Sequence, residues 1–169
     1  MAKRDNHYDL AFEEYLRSAR IPYVVVDEKR RALMADTSLK SMDFIVYSSQ
    51  ARNLLVDVKG RRFPSGAVSN QHKWENWTPA EDVSSLIRWQ EVFGGGFRAV
   101  LLFAYQVVEP RYQAEFDELF HFGGRTYSFF GVWAEEYRTA MQLRSLSWST
   151  VSLPSRDFRK LRAPVKDLL

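Results

Sequence analysis

Asn53-Leu54-Leu55-Val56-Asp57-Val58-Lys59-Gly60 is an apolar, branched run that carries an acid and a base near its end. Its composition predicts a strand over 53–59, with Gly60 ending it. Asp57 and Lys59 are two residues apart, so on a strand they point to the same face. Just upstream, Asp43-Phe44-Ile45-Val46-Tyr47 predicts another strand, opened by an aspartate. If the two strands are neighbours, Asp43 and Asp57 meet at one edge of the sheet.

Working outward, Tyr8, Ala11, Phe12, Tyr15, Leu16 and Ala19 share one face at about 100° per residue. They predict a helix over 8–20, ended by Pro22. Tyr23-Val24-Val25-Val26-Asp27 predicts the first strand. Residues 60–78 hold Pro64 and Gly66 without a clear period and predict a loop. Its Lys73, Trp74 and Trp77 serve either as a lid or base-stacking surface, or as anchors pinning the loop to the body. Thr78-Pro79-Ala80-Glu81 combines a capping box with proline at the first helical position, and Gly94 to Gly96 stop that helix after Phe93. Val83, Leu86, Ile87 and Phe93 form its apolar stripe, with Gln90 in the middle as an amide that needs a partner.

Residues 98–107 then read as a long buried strand. Beyond it we expect a short helix over 115–122, a turn at Gly123-Gly124, a strand over 127–133 and a helix over 134–141. A strand over 148–153 and a final basic helix capped by Ser155 follow. Trp89, Trp133 and Trp148 read as core. The order predicts an α/β fold with a mixed central sheet, as one domain over 1–169. Its core spans about 8–107, and a C-terminal strand/helix extension spans about 108–169.

Composition narrows the function classes. The chain has 169 residues, 46% hydrophobic and 27% charged, and its 15% aromatic content argues against disorder. No apolar run approaches about 18 residues, so no membrane span is expected. The start, Met1-Ala2-Lys3-Arg4-Asp5, is polar at once, so no secretory signal is expected and a cytoplasmic location is the default. The absence of cysteine removes thiol catalysis, disulfides and zinc–thiolate sites. The net charge of +3 is compatible with a nucleic-acid partner. Basic residues cluster at Lys29, Arg30 and Arg31, at Lys59, Arg61 and Arg62, and at Arg156, Arg159, Lys160, Arg162 and Lys166. Each cluster alone reads as a solvated face, and together they suit a polyanion. Gly94-Gly95-Gly96 follows a helix, the wrong order for a phosphate loop, and His7, His72 and His121 lack metal-ligand spacing. There is no nucleophile elbow.

Two carboxylates with a lysine beside them suit metal-dependent phosphodiester cleavage. The carboxylates are hard oxygen ligands for Mg²⁺. The metal stabilises developing charge and acidifies the attacking water. An ammonium orients that water or neutralises charge. The acid-x-Lys triplet alone says little, because 21 acids and 7 lysines in 169 residues produce about one by chance. The chain has a second, Asp27-Glu28-Lys29, which lacks an acid-bearing strand before it and runs on into Arg30; we read it as a decoy. The plain alternative for Asp57 and Lys59 is a same-face ion pair at a strand end.

Ser41-Met42-Asp43-Phe44-Ile45-Val46, followed by Leu54-Leu55-Val56-Asp57-Val58-Lys59-Gly60, resembles the PD-(D/E)XK nuclease superfamily. Met42 stands where that family's proline precedes the first aspartate. The resemblance implies a restriction-endonuclease-like core in the order αβββαβ, the order read above over the core. It also implies a Mg²⁺-dependent nuclease, with Mn²⁺ as substitute, that cuts DNA ahead of RNA by in-line water attack without a covalent intermediate. Asp43 and Asp57 would bind metal together with the Val58 carbonyl, and Lys59 would position the water. An acid of the first helix, Asp9 ahead of Glu13 and Glu14, would help at the metal. Gln90 resembles the glutamine that some members carry on the helix after the lysine strand, and joins the catalytic set. Arg61, Arg62, Lys73 and the C-terminal basic residues would hold phosphates. Many such nucleases act as dimers, so a homodimer is left open. Two other readings stay open: a non-catalytic nucleic-acid-binding domain on the same fold, and an α/β interaction domain whose acids only form ion pairs.

Overall fold

The computed structural model describes residues 6–27, 31–33, 38–49 and 52–169. The start at 1–5, together with Glu28, Lys29 and Arg30 of the decoy triplet and first basic cluster, lies outside the described residues. Helix α1 (His7–Ser18) is followed by strands β1 (Tyr23–Val25), β2 (Arg31–Leu33), β3 (Ser38–Lys40), β4 (Phe44–Val46) and β5 (Asn53–Phe63). Strand β6 (Thr78–Pro79), helix α2 (Ala80–Phe93) and strand β7 (Phe97–Val107) come next. After a 3-10 turn (Pro110–Glu115) the chain forms β8 (Phe120–Phe122), β9 (Arg125–Trp133), α3 (Ala134–Ala140), β10 (Gln142–Ser145), β11 (Thr150–Ser152), α4 (Ser155–Leu161) and β12 (Ala163–Pro164).

The central sheet has seven strands in the order β1-β4-β5-β7-β9-β12, with β8 paired to β9. Strands β5 and β7 are parallel, and the other neighbours are antiparallel, so the sheet is mixed. This is the α/β architecture expected, with the β2–β3 hairpin inserted between the first two anticipated strands. Side-chain alternation along β5 sorts the two faces. Leu54, Val56 and Val58 pack with Phe12 and Leu16 of α1. Leu55 packs on the opposite face with Val83, Leu86 and Ile87 of α2. Asp57 and Lys59 follow Leu55 at intervals of two and so fall on the α2 side.

Several local expectations are corrected. Gly60 does not end its strand, which runs on to Phe63. The glycine is there for space: a Cβ at Gly60 would sit 2.1 Å from Cδ2 of the Tyr8 ring. Gly60→Ala should therefore cost about 1–3 kcal/mol through overpacking. Thermal unfolding should show the loss, and Tyr8→Ala in the same chain should recover part of it. Thr78 does not cap α2. It pairs with Val151 in β6, Pro79 is the N-cap without a side-chain hydrogen bond, and the Ala80 N–H donates to the Ser149 carbonyl at 2.9 Å. The helix expected over 115–122 is instead part of the 3-10 turn and then β8, which turns through Gly123 and Gly124 into β9. Both glycines have positive φ (56° and 73°), as a two-residue hairpin turn requires. Ser155 opens α4 rather than capping it. Trp148 is not core: it is 79% exposed. Among the described residues, no helix is long and apolar enough to cross a membrane.

Candidate active site

The register of β4 and β5 places the first two acids. The last paired residues are Phe44 and Val56, so one step further Asp43 stands across from Asp57. There β4 ends, and the Asp43 side chain takes over from its backbone: Oδ2 accepts the Val58 N–H at 2.6 Å. That bond fixes the orientation of the Asp43 carboxylate, which is 4% exposed. The Asp43 backbone is held on both sides, its N–H donating to the Val56 carbonyl and its carbonyl accepting the Val26 N–H, each at 2.9 Å. Where the strands part, a polar cavity of about 100 Å³ opens. Asp43, Asp57 and Lys59 line it, together with Asp9 from the first turn of α1 and Asp82 from the first turn of α2. Asp9 is 1% exposed.

Lys59 is held between two carboxylates. Its Nζ lies 2.9 Å from Asp57 Oδ2 and also donates to Asp82 Oδ2. The other Asp82 oxygen accepts from Lys40 Nζ at 2.6 Å. Lys40 is positioned by its own backbone, whose carbonyl accepts the Trp89 indole N–H at 2.9 Å. Asp57, Lys59, Asp82 and Lys40 thus form one chain of charges across the cavity.

The electrostatics follow from burial and from this alternation. Burial pushes the Asp57 carboxyl above its ordinary range; Lys59 opposes the shift and Asp82 adds to it. Burial works against the Lys59 charge, but Asp57 and Asp82 outweigh it and hold the ammonium above its usual value. Burial also acts to raise Asp82, and Lys59 and Lys40 overcome it to keep that carboxyl low. Lys59 and Asp82 are therefore firmly charged, while Asp57 has charge that a further cation would stabilise.

Among the described residues no three His, Cys, Asp or Glu side chains form a ready metal cluster. Mg²⁺ does not require one, since it is commonly held by one or two carboxylates, with water and phosphate oxygens completing its shell. Asp43 and Asp57 across the strand end, with Asp9 lining the same cavity, are an all-oxygen donor set that fits a hard dication.

The other anticipated site residues lie elsewhere. Gln90 is not part of the cavity. Its Oε1 accepts the Ala99 N–H at 2.7 Å, tying the end of α2 to β7, about 12 Å along the helix from Asp82. Arg61 is turned inward, donating to the Gly60 and Trp77 carbonyls, with its guanidinium 4.0 Å over the Trp77 ring. Arg62 lines a separate open depression with Arg125 and Thr126. Lys73 pairs with Glu115 at 2.5 Å and lies over the Tyr112 ring. Trp74 packs among Phe63, Tyr105, Phe116 and Phe130, so this aromatic anchors the 64–77 connection.

Asp82 and Lys40 were missed from sequence. Asp82 carried a usable signal: with Ser85, Leu86 and Trp89 it falls on one helical face beside the apolar stripe. Lys40 lies in a strand too short to stand out.

No protein-family model matches the chain, and no curated protein sequence matches it. Among solved structures it is similar to the 1.6 Å structure of Hjc from Archaeoglobus fulgidus, a Holliday junction resolvase from an archaeal hyperthermophile. The TM-score is 0.55 at 12% identity, over 96% of this chain and 97% of that one. At that identity the likeness bears on architecture: the mixed α/β fold of this chain is restriction-endonuclease-like.

Proposed function

We propose that this chain is a divalent-metal-dependent nuclease of the PD-(D/E)XK type that hydrolyses phosphodiester bonds in DNA. The observation that carries the reading is the convergence of Asp43, Asp57 and Lys59 on one polar cavity where two strands part. The likeness to a Holliday junction resolvase supports DNA as the polymer, and a homodimer as the acting form is part of the same proposal.

Asp43 and Asp57 would hold the metal, with the Val58 carbonyl and Asp9 as further oxygen donors. Bound Mg²⁺ supplies Lewis-acid stabilisation of phosphoryl charge and makes water a nucleophile near neutral pH. The Val58 N–H fixes the Asp43 carboxylate, as outer partners orient metal ligands elsewhere. Lys59, kept protonated by Asp57 and Asp82, donates to the attacking water or to the charged phosphoryl oxygens. Asp82 acts through Lys59 and positions it.

The test is a cleavage panel of plasmid, linear, single-stranded and branched DNA plus RNA, run with Mg²⁺, Mn²⁺ or chelator. We expect metal-dependent cutting of DNA that Asp43→Ala abolishes. Cutting that survives in Asp43→Ala, or in chelator, overturns the assignment. Salt-sensitive binding without any cutting favours a non-catalytic nucleic-acid-binding domain.

A further inference from the structure

Leu143, Leu146 and Trp148 are 65%, 82% and 79% exposed, and all belong to the hairpin of β10 and β11. Three large apolar side chains this exposed on one hairpin are available to a partner. The tip is ordered by its own contacts: the Trp148 N–H donates to Ser145 Oγ at 3.4 Å, and the Ser149 N–H to the Leu146 carbonyl at 3.2 Å.

Two independent links tie the hairpin to the cavity. The Ser149 carbonyl accepts the N–H of Ala80, the first residue of α2, two positions before Asp82. On the other side, Arg61 shares the Lys59 face of β5 and lies 4.0 Å over the Trp77 ring, and Arg144 of the hairpin lies 5.1 Å from the same ring. A series of side chains therefore runs from Lys59 through Arg61 and Trp77 to Arg144. Charge points to the occupant: the hairpin over 142–152 carries Arg144 and no acid. An exposed indole on a cationic hairpin suits a nucleobase, because every base offers a face to stack on and a phosphate beside it.

We propose that this hairpin tip binds an unpaired nucleobase: Trp148 stacks on the base, Leu146 packs beside it, and Arg144 holds the neighbouring phosphate. The inference rests on the nuclease reading and deepens it, because the wedge would select DNA with unpaired bases close to the bond cut in the cavity.

The full chain is mixed, in chelator, with a paired duplex and with the same duplex carrying a short gap, labelled with 2-aminopurine opposite the gap. Wild type is expected to bind the gapped DNA more tightly than the duplex and to quench the probe. Trp148→Ala is expected to reduce that preference at least tenfold, with Trp148→Phe retaining most of it. An unchanged preference in Trp148→Ala overturns the wedge, as does sedimentation showing that Trp148 instead mediates self-association. Cleavage with Mg²⁺, assayed in parallel, separates the two readings. Cutting by a protein whose gap preference ignores Trp148 keeps the nuclease and discards the wedge. Trp148-dependent stacking by a wild type that cuts nothing keeps the wedge and discards the nuclease.

Discussion

Asp57→Asn is expected to lower metal-dependent cleavage by about a thousandfold while leaving the fold intact. A metal's charge stabilisation amounts to several kcal/mol of the barrier, and each 1.36 kcal/mol is about tenfold in rate. The amide keeps the shape of the side chain but is a poor ligand. The fold tolerates the change for a separate reason. Burial disfavours the Asp57 charge by more than Lys59 offsets, and Asp82 adds a smaller repulsion. The substitution removes both penalties, and Lys59 retains Asp82 as partner. Thermal unfolding should shift by no more than about 1 kcal/mol equivalent, in either direction. If Asp57 served only as an ion-pair partner, the pattern would be reversed, with stability lost and cleavage kept. Measuring both on the same preparation decides between the two roles.

The part of this site that was legible in sequence is the part governed by local periodicity. The two-residue spacing of Asp57 and Lys59 on an apolar strand, and the aspartate opening the strand before it, need only alternation and antiparallel pairing to be read. The position of Asp9 on the border of the α1 stripe was legible for the same reason. Asp82 stands on a comparable border of α2, where an acid in the first helical turn is as readily explained by the helix dipole. Thr78 instead pairs with Val151, more than 70 residues away, and nothing local announces that bridge. Phe120-His121-Phe122 before Gly123-Gly124 carries a hairpin signal, and β8 pairs with β9 across that turn. Arg61 and Lys73 are cations whose partners, the Trp77 carbonyl and Glu115, are set by the path of the connection over 64–77. Charge clusters in sequence do not reveal which members turn inward.

Lys59→Met tests whether the charges across the cavity act as one unit. Removing the ammonium leaves Asp57 and Asp82 facing each other, with Lys40, whose side chain is 42% exposed, still in contact with Asp82. Breaking a buried ion pair from one side costs about 3–5 kcal/mol, so the melting temperature should fall by roughly 10 °C in a chain of this length. Cleavage should be lost as well, since Lys59 is the ammonium that stands beside Asp57. The informative variant is Lys59→Met combined with Asp82→Leu. It removes the uncompensated carboxylate at 82, fills the space with apolar volume, and leaves Lys40 able to turn to water. The double variant should therefore be more stable than Lys59→Met alone and still inactive. That combination separates the structural role of the Lys59–Asp82 pair from the chemical role of Lys59, because stability returns without the ammonium and turnover does not. If the two substitutions simply add, the residues are energetically independent, and Asp82 does not position Lys59.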